Sequence, residues 1–171
     1  MRGTLILCLS FVVAAVAACS DDTGTDPPAT ACYDYAAFVE TPNVSFETDV
    51  LPIMRRSCGL AAACHQTNPG SLKQPYLGNA GTAPMTPAEI QEIFDENVNV
   101  TSAKALGMDI IVAGDPANSF LMHKIDGTLD CPTIQGCSGT ACGGTMPIGG
   151  KLAAAELDLI RSWIKQGAAN N

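Results

Sequence analysis

The chain is organised around the stretch Cys58-Gly59-Leu60-Ala61-Ala62-Ala63-Cys64-His65. Two thiols and an imidazole lie within these eight residues, and five residues separate the cysteines. Because residues six apart lie on different faces of an α-helix, Cys58 and Cys64 face one partner only if residues 59–63 loop out between them. A plain interpretation also exists, in which a disulfide cysteine precedes an ordinary histidine. The rest of the chain is needed to choose between a bound group and a plain disulfide.

Residues 1–18 have the features of a secretion signal, with Arg2 followed by an apolar run that ends in small residues. This run is too short to be a confident membrane-spanning helix. It ends in Val16-Ala17-Ala18-Cys19, which resembles the lipobox of bacterial lipoproteins. The resemblance implies cleavage before Cys19 and a lipid on its thiol, which would anchor the protein to a membrane. A plain signal peptide cleaved nearby is the alternative.

Three segments follow from this interpretation: the signal peptide at 1–18, a lipidated cysteine with a flexible tether at 19–31, and a folded domain at 32–171. Residues 20–31 are polar, acidic and contain glycine and proline, as is typical of a tether. The remaining residues are enough for one domain with a core of its own. Ser20 directly after Cys19 is compatible with an outer-membrane lipoprotein that faces either the periplasm or the cell surface.

Apolar spacing and capping residues predict helices at about residues 45–57, 86–97, 120–125 and 152–166. Pro52 favours a late start for the first helix, since proline is tolerated in a first turn. Thr86 and Glu89 predict a capping box for the second helix, and Gly127 predicts the end of the third. In the last helix we expect Arg161 on the outward face. No strand alternation is found.

Residues 128–150, which we call the methionine strap, show no helical or strand period. They contain three cysteines and the pair Met146-Pro147. A structureless stretch of this length in a compact domain is normally functional or cross-linked. We expect its cysteines to supply the cross-links.

The order of these elements resembles that of small c-type cytochromes, and more narrowly that of cytochrome-like lipoproteins of Gram-negative bacteria. The matching stretches are Phe46 to Ile53, Val112 to Pro116 with Ser119 and Leu121, Thr145 to Pro147, and Leu157 to Ala168. In that family the thiols of a C-x-x-C-H motif add to haem vinyl groups and the histidine binds the iron. The spacing here departs from that motif. The resemblance implies an all-α, cytochrome c-like fold, with about four helices and long loops wrapped around a haem site and braced by disulfides.

Carried over by position, the resemblance implies one covalent haem c. Cys64, and less clearly Cys58, would form thioethers with haem, His65 would be the proximal iron ligand, and Met146 the distal ligand. A methionine in the sixth position suits electron transfer rather than oxygen binding. The rival distal ligands are Met85, Met108, Met122 and His123.

Cysteine parity separates the possible chemistries. The chain has eight cysteines, and Cys8 and Cys19 fall in the signal and at the lipid. If haem takes both Cys58 and Cys64, four remain for two disulfides: Cys32, Cys131, Cys137 and Cys142. Without haem six remain for three disulfides, and with a single thioether at Cys64 one thiol is left over. A zinc site is disfavoured because no C-x2-C pair is present and export favours oxidised cysteines.

The sequence therefore predicts a single-haem electron-transfer lipoprotein with a protein redox partner. The alternative is a non-redox lipoprotein whose haem-free, three-disulfide scaffold acts as an interaction module. No phosphate loop, catalytic triad or catalytic carboxylate pair is recognisable, so we expect neither an enzyme nor a small-molecule substrate. The formal net charge of −8 argues against nucleic acid. It suits a basic redox partner, although solubility explains it as well.

Overall fold

The computed structural model describes residues 32–61, 63–66, 74–134, 136–137 and 141–171. Within these ranges the chain is helical, and its only β pairing consists of isolated bridges. The helices are α1 (Leu51–Ser57), α2 (Pro87–Asn97), α3 (Phe120–Asp126) and α4 (Ala154–Lys165). Two disulfides are present. The prediction of a helical domain with about four helices and disulfide bonds is confirmed for the described residues.

The first helix begins with a wider turn. Residues 46–50 form a π-helical turn, and the Ser45 side chain accepts a hydrogen bond from the backbone N–H of Thr48. The α-helix proper starts at Leu51, with Pro52 in its first turn, where a missing N–H costs nothing. The late start that Pro52 favoured is therefore confirmed. The predicted apolar face is buried: Phe46, Val50, Ile53 and Met54.

The predicted signals at the ends of α2 and α3 act as expected. The Thr86 side chain accepts from the N–H of Glu89, and the Glu89 carboxylate accepts in return from the N–H of Thr86. Helix α3 ends at Gly127, whose φ of 72° lies in the left-handed region that glycine adopts without strain. These local patterns fix the start of α2 and the end of α3, the two helices that lie between residues 58–65 and the methionine strap.

Helix α4 starts two residues later than predicted, at Ala154, and its Arg161 is not outward. The Arg161 side chain is only 1% exposed and forms ion pairs with Asp126 at 2.7 Å and Asp158 at 2.6 Å. Its guanidinium carbon also lies 3.8 Å from the ring centroid of Tyr33. The outward placement was wrong because two of these partners lie outside α4: Asp126 at the end of α3, and Tyr33 in residues 32–41, which we call the N-terminal arm.

The core lies where the π turn at 46–50 packs against α4. The rings of Phe46, Phe94 and Trp163 are in mutual contact, with centroids 4.7 to 6.0 Å apart. Phe46 and Trp163 are buried and Phe94 is partly buried, so this aromatic cluster supplies much of the apolar contact of the core. Cys58, Met85 and Met146 are partly buried and pack against this same core.

The predicted signal at 1–18, the lipid site Cys19 and the tether at 19–31 lie outside the described residues. None of the helices within the described ranges has the length and apolar character needed to cross a bilayer.

Candidate functional site

The stretch 58–65, which we call the cysteine–histidine loop, leaves α1 and turns back on itself. The backbone N–H groups of Cys58 and Gly59 both donate to the carbonyl oxygen of Met54, at 2.7 and 3.0 Å, which ends the helix. The N–H of His65 donates to the carbonyl oxygen of Cys58 at 3.1 Å. This bond joins the two ends of the loop, so the chain between the cysteines is a turn and not a continued helix.

The His65 imidazole is oriented by a backbone carbonyl. Its Nδ1 lies 2.8 Å from the carbonyl oxygen of Pro75, and because that oxygen only accepts, Nδ1 carries the proton. No hydrogen bond to Nε2 is found among the described residues. Burial lowers the pKa of His65; the Pro75 bond opposes this shift and the charge of Lys124 adds to it. The ring is therefore neutral with Nε2 unprotonated, the state in which an imidazole binds a metal ion.

Residues 74–79, which we call the clamp segment, run alongside the cysteine–histidine loop. The N–H of Leu77 donates to the carbonyl oxygen of His65 at 2.9 Å. In the orientation that satisfies its amide, Gln74 donates to the carbonyl oxygens of Ala63 and Cys64. Arg55 Nε donates to the carbonyl oxygen of Asn79 at 2.7 Å. Together these bonds hold the loop between α1 and the clamp segment.

The loop and the clamp segment touch most closely at Gly59. A Cβ atom added there would overlap the carbonyl oxygen of Gly78 and come within 3.3 Å of the carbonyl oxygen of Arg55. Only a residue without a side chain fits between two backbone carbonyls at this distance. Gly59 is therefore required for the close approach of the two segments.

The cysteines divide into two groups. Cys32 is bonded to Cys131 and Cys137 to Cys142, whereas Cys58 and Cys64 take part in neither disulfide. Burial raises the pKa of Cys58 to about 11, and the nearby Cys64 contributes to the shift. The two cysteines of the cysteine–histidine loop are therefore outside both of these disulfides, and they lie close enough for Cys64 to contribute to the raised pKa of Cys58.

Lys124 of α3 holds the methionine strap. Its Nζ donates to the carbonyl oxygen of Cys142 at 2.9 Å and to that of Gly144. Its own carbonyl oxygen accepts from the N–H of Met146 at 2.8 Å. The charge of Lys124 also adds to the lowering of the His65 pKa that burial causes.

The rival ligands occupy different surroundings. His123 is 2% exposed, and both of its ring nitrogens are hydrogen-bonded, Nδ1 to Thr128 Oγ1 at 2.8 Å and Nε2 to the carbonyl oxygen of Ala117 at 2.9 Å. Met122 is fully buried in the main core, and Met108 packs in a second cluster with Phe120 and the Cys137–Cys142 disulfide. Met85 and Met146 remain, and both are partly buried against the main core, as Cys58 is.

Sequence reasoning missed the residues that surround His65. Pro75, Glu96 and Asn97 belong to no motif. Pro75 contacts His65, which lies 10 residues earlier, whereas Glu96 and Asn97 contact the backbone of Tyr76, which lies 20 and 21 residues earlier. A weak signal for Asn97 existed, since a polar side chain stood at the end of an apolar helical face.

Comparison of the chain with protein-family models, with curated proteins and with solved structures finds no match.

Within the described ranges, no group of three or more His, Cys, Asp or Glu side chains is arranged to hold a metal ion.

Proposed function

We propose that this chain is a single-haem c-type cytochrome that transfers electrons and is exported as a lipoprotein anchored through Cys19. The observation that carries the proposal is the geometry of His65. Its Nδ1 donates to a backbone carbonyl, which leaves Nε2 as the only ring nitrogen for an iron ion. Metal-binding histidines almost always use their second nitrogen in this way.

The cysteines support the same interpretation. The two disulfides use four cysteines outside the cysteine–histidine loop, and these are the four that a haem held by Cys58 and Cys64 would leave for disulfides. Cys64 directly precedes the ligand histidine and would form one thioether. Cys58 faces the core from the end of α1 and would form the second.

Met146 is the distal ligand that we propose. It packs against the same core as Cys58, and its backbone is fixed by Lys124. A bound haem would supply one-electron chemistry, and a thioether sulfur in the sixth position would favour the reduced iron. His65 and Met146 would bind the iron, the apolar core would exclude water, and the protein would present the site to a redox protein. No catalytic step is assigned, and the acidic surface fits a basic protein partner.

The test is to express the full-length chain in a Gram-negative host with a haem-maturation system and to purify it from the membrane fraction. We expect a gain of one haem mass and a strong Soret band. Met146→Ala should keep the haem attached but remove six-coordination and lower the reduction potential, whereas Met85→Ala should leave the spectrum unchanged. Cys58→Ala should shift the band of the reduced pyridine-haem complex if Cys58 forms a thioether.

A colourless protein with three disulfides by mass would overturn the proposal. Cys58 and Cys64 would then be bonded to each other, and the chain would be the haem-free interaction module that the sequence leaves as the alternative. An unchanged spectrum in Met146→Ala would instead remove only Met146 from the ligand set.

A further inference from the structure

The peptide unit between Pro75 and Tyr76 lies between the His65 imidazole and a carboxylate of α2. Its carbonyl oxygen accepts from His65 Nδ1 at 2.8 Å, and its N–H, on Tyr76, donates to Glu96 Oε2 at 2.7 Å. Because a peptide unit is planar, the carboxylate that fixes the direction of the N–H also fixes the direction of the carbonyl. Glu96 therefore acts on His65 through a single rigid group.

Asn97 holds the next carbonyl along the chain. Its side chain is 0% exposed, and Nδ2 donates to the carbonyl oxygens of Tyr76 at 2.8 Å and Ile93 at 2.7 Å. Its Oδ1 has no hydrogen-bond partner among the described residues, and an unsatisfied buried acceptor lowers stability. An apolar side chain would avoid that loss, so packing alone does not explain an asparagine here.

We propose that Glu96 and Asn97 are positioning residues for His65. Together they fix both sides of the Tyr76 backbone, and Glu96 in addition polarises the Pro75 carbonyl, since hydrogen bonds in a chain strengthen one another. The result is an imidazole held as the Nδ1–H tautomer, with Nε2 left unprotonated. The inference rests on the proposed function, because it is as an iron ligand that His65 needs one fixed and electron-rich nitrogen.

The chain offers an internal reference for the test, since it has only two histidines. His123 Nε2 faces the carbonyl oxygen of Ala117, so Nε2 carries its proton and Nδ1 accepts from the Thr128 hydroxyl. The two histidines therefore have opposite tautomers. Labelling with ¹⁵N-histidine gives two imidazole patterns, and NMR spectroscopy of the haem-free full-length chain reads each tautomer directly.

The central variants are Glu96→Ala and Asn97→Ala, with Glu96→Gln as the conservative exchange and Asp95→Asn as the charge-matched control on the same helix. We expect Glu96→Ala and Asn97→Ala to move His65 from pure Nδ1–H to a mixture with at least a tenth of the Nε2–H form. Glu96→Gln keeps an acceptor and should largely restore the wild-type pattern. Asp95→Asn should leave His65 unchanged, and His123 should stay Nε2–H in all four.

The inference is overturned if Glu96→Ala keeps the His123 pattern and still shows His65 as pure Nδ1–H. Should Asn97→Ala lose both patterns by unfolding, the half-buried Glu96 decides the question alone. The readout needs no haem, so a tautomer change in a chain that never binds haem would support the positioning pair and reject the proposed function. In a haem-loaded chain, Glu96→Gln should raise the reduction potential more than Asp95→Asn does.

Discussion

The cysteine–histidine loop and the methionine strap are held in place by different kinds of contact. The loop is surrounded by hydrogen bonds from α1 and the clamp segment, and two backbone segments meet at Gly59 without room for a side chain. The strap forms no helix in its described residues. The Cys32–Cys131 disulfide attaches it to the N-terminal arm, the Cys137–Cys142 disulfide closes a ring within it, and Lys124 donates to its carbonyl oxygens. The loop therefore depends on close packing, whereas the strap depends on covalent bonds and one cation.

The largest effect should come from removal of the disulfide bonds of the strap. The Cys32–Cys131 disulfide spans 99 residues of sequence and the Cys137–Cys142 disulfide only 5. Loop-closure entropy then predicts a loss of about 4–5 kcal/mol in the free energy of unfolding for Cys32→Ala with Cys131→Ala, against about 2 kcal/mol for Cys137→Ala with Cys142→Ala. Urea unfolding of both double variants measures the difference. Equal losses would show that the long disulfide acts through strap packing instead.

The second effect tests the close packing of the cysteine–histidine loop against the clamp segment. Gly59→Ala places a methyl group against the Gly78 carbonyl, so the loop and the clamp segment must separate. We expect a loss of about 2–4 kcal/mol in the free energy of unfolding and a lower yield of attached haem. Gly150→Ala is the matched control, because no atom lies within 4 Å of an added Cβ there. If the two variants are equally stable in urea, the close approach does not hold the loop.

The third effect concerns Lys124, the cation that donates to the strap carbonyls. Lys124→Met removes the charged donor to the carbonyl oxygens of Cys142 and Gly144 and should cost about 1–3 kcal/mol. Amide hydrogen exchange at Met146 should accelerate, while exchange at Leu77 in the clamp segment should not. Lys151→Met, at an exposed lysine next to the strap, serves as the control. Equal acceleration at Met146 and Leu77 would mean that the two regions loosen together.

The smallest effect is a pH dependence on the strap side. Burial lowers the pKa of His123, and the Ala117 carbonyl and the charge of Asp126 only partly oppose it. Below a pH of about 6.5 the unfolded chain therefore binds more protons than the folded one, and stability falls as the pH falls. His123→Gln should flatten the change in urea midpoint between pH 7.5 and pH 5.5. His65→Gln should keep the part of that change that comes from His123. A urea midpoint that does not vary with pH in either His123→Gln or His65→Gln would contradict this assignment.

The sequence predicted those features that depend on neighbours along the chain. Thr86, Glu89 and Gly127 carry their own capping chemistry, so the ends of α2 and α3 were readable. Arg161 was misplaced because its burial depends on Tyr33 and Asp126, which no local pattern connects to it. The contacts of His65 with Pro75 and of Tyr76 with Glu96 were out of reach for the same reason.

The Cys32–Cys131 disulfide has a mechanical consequence. Cys32 begins the described part of the chain, and its sulfur is bonded directly to the strap. Force applied to the residues before Cys32 is therefore transmitted to Cys131 through a covalent bond. The N-terminal arm lies inside the ring that the disulfide closes and carries little of that force. It contacts α4 through the Tyr33 ring, which packs on the Arg161 guanidinium, and through the Thr41 N–H, which donates to Ser162 Oγ. A chain held by its N-terminus would therefore transmit force to the domain without peeling the arm from α4.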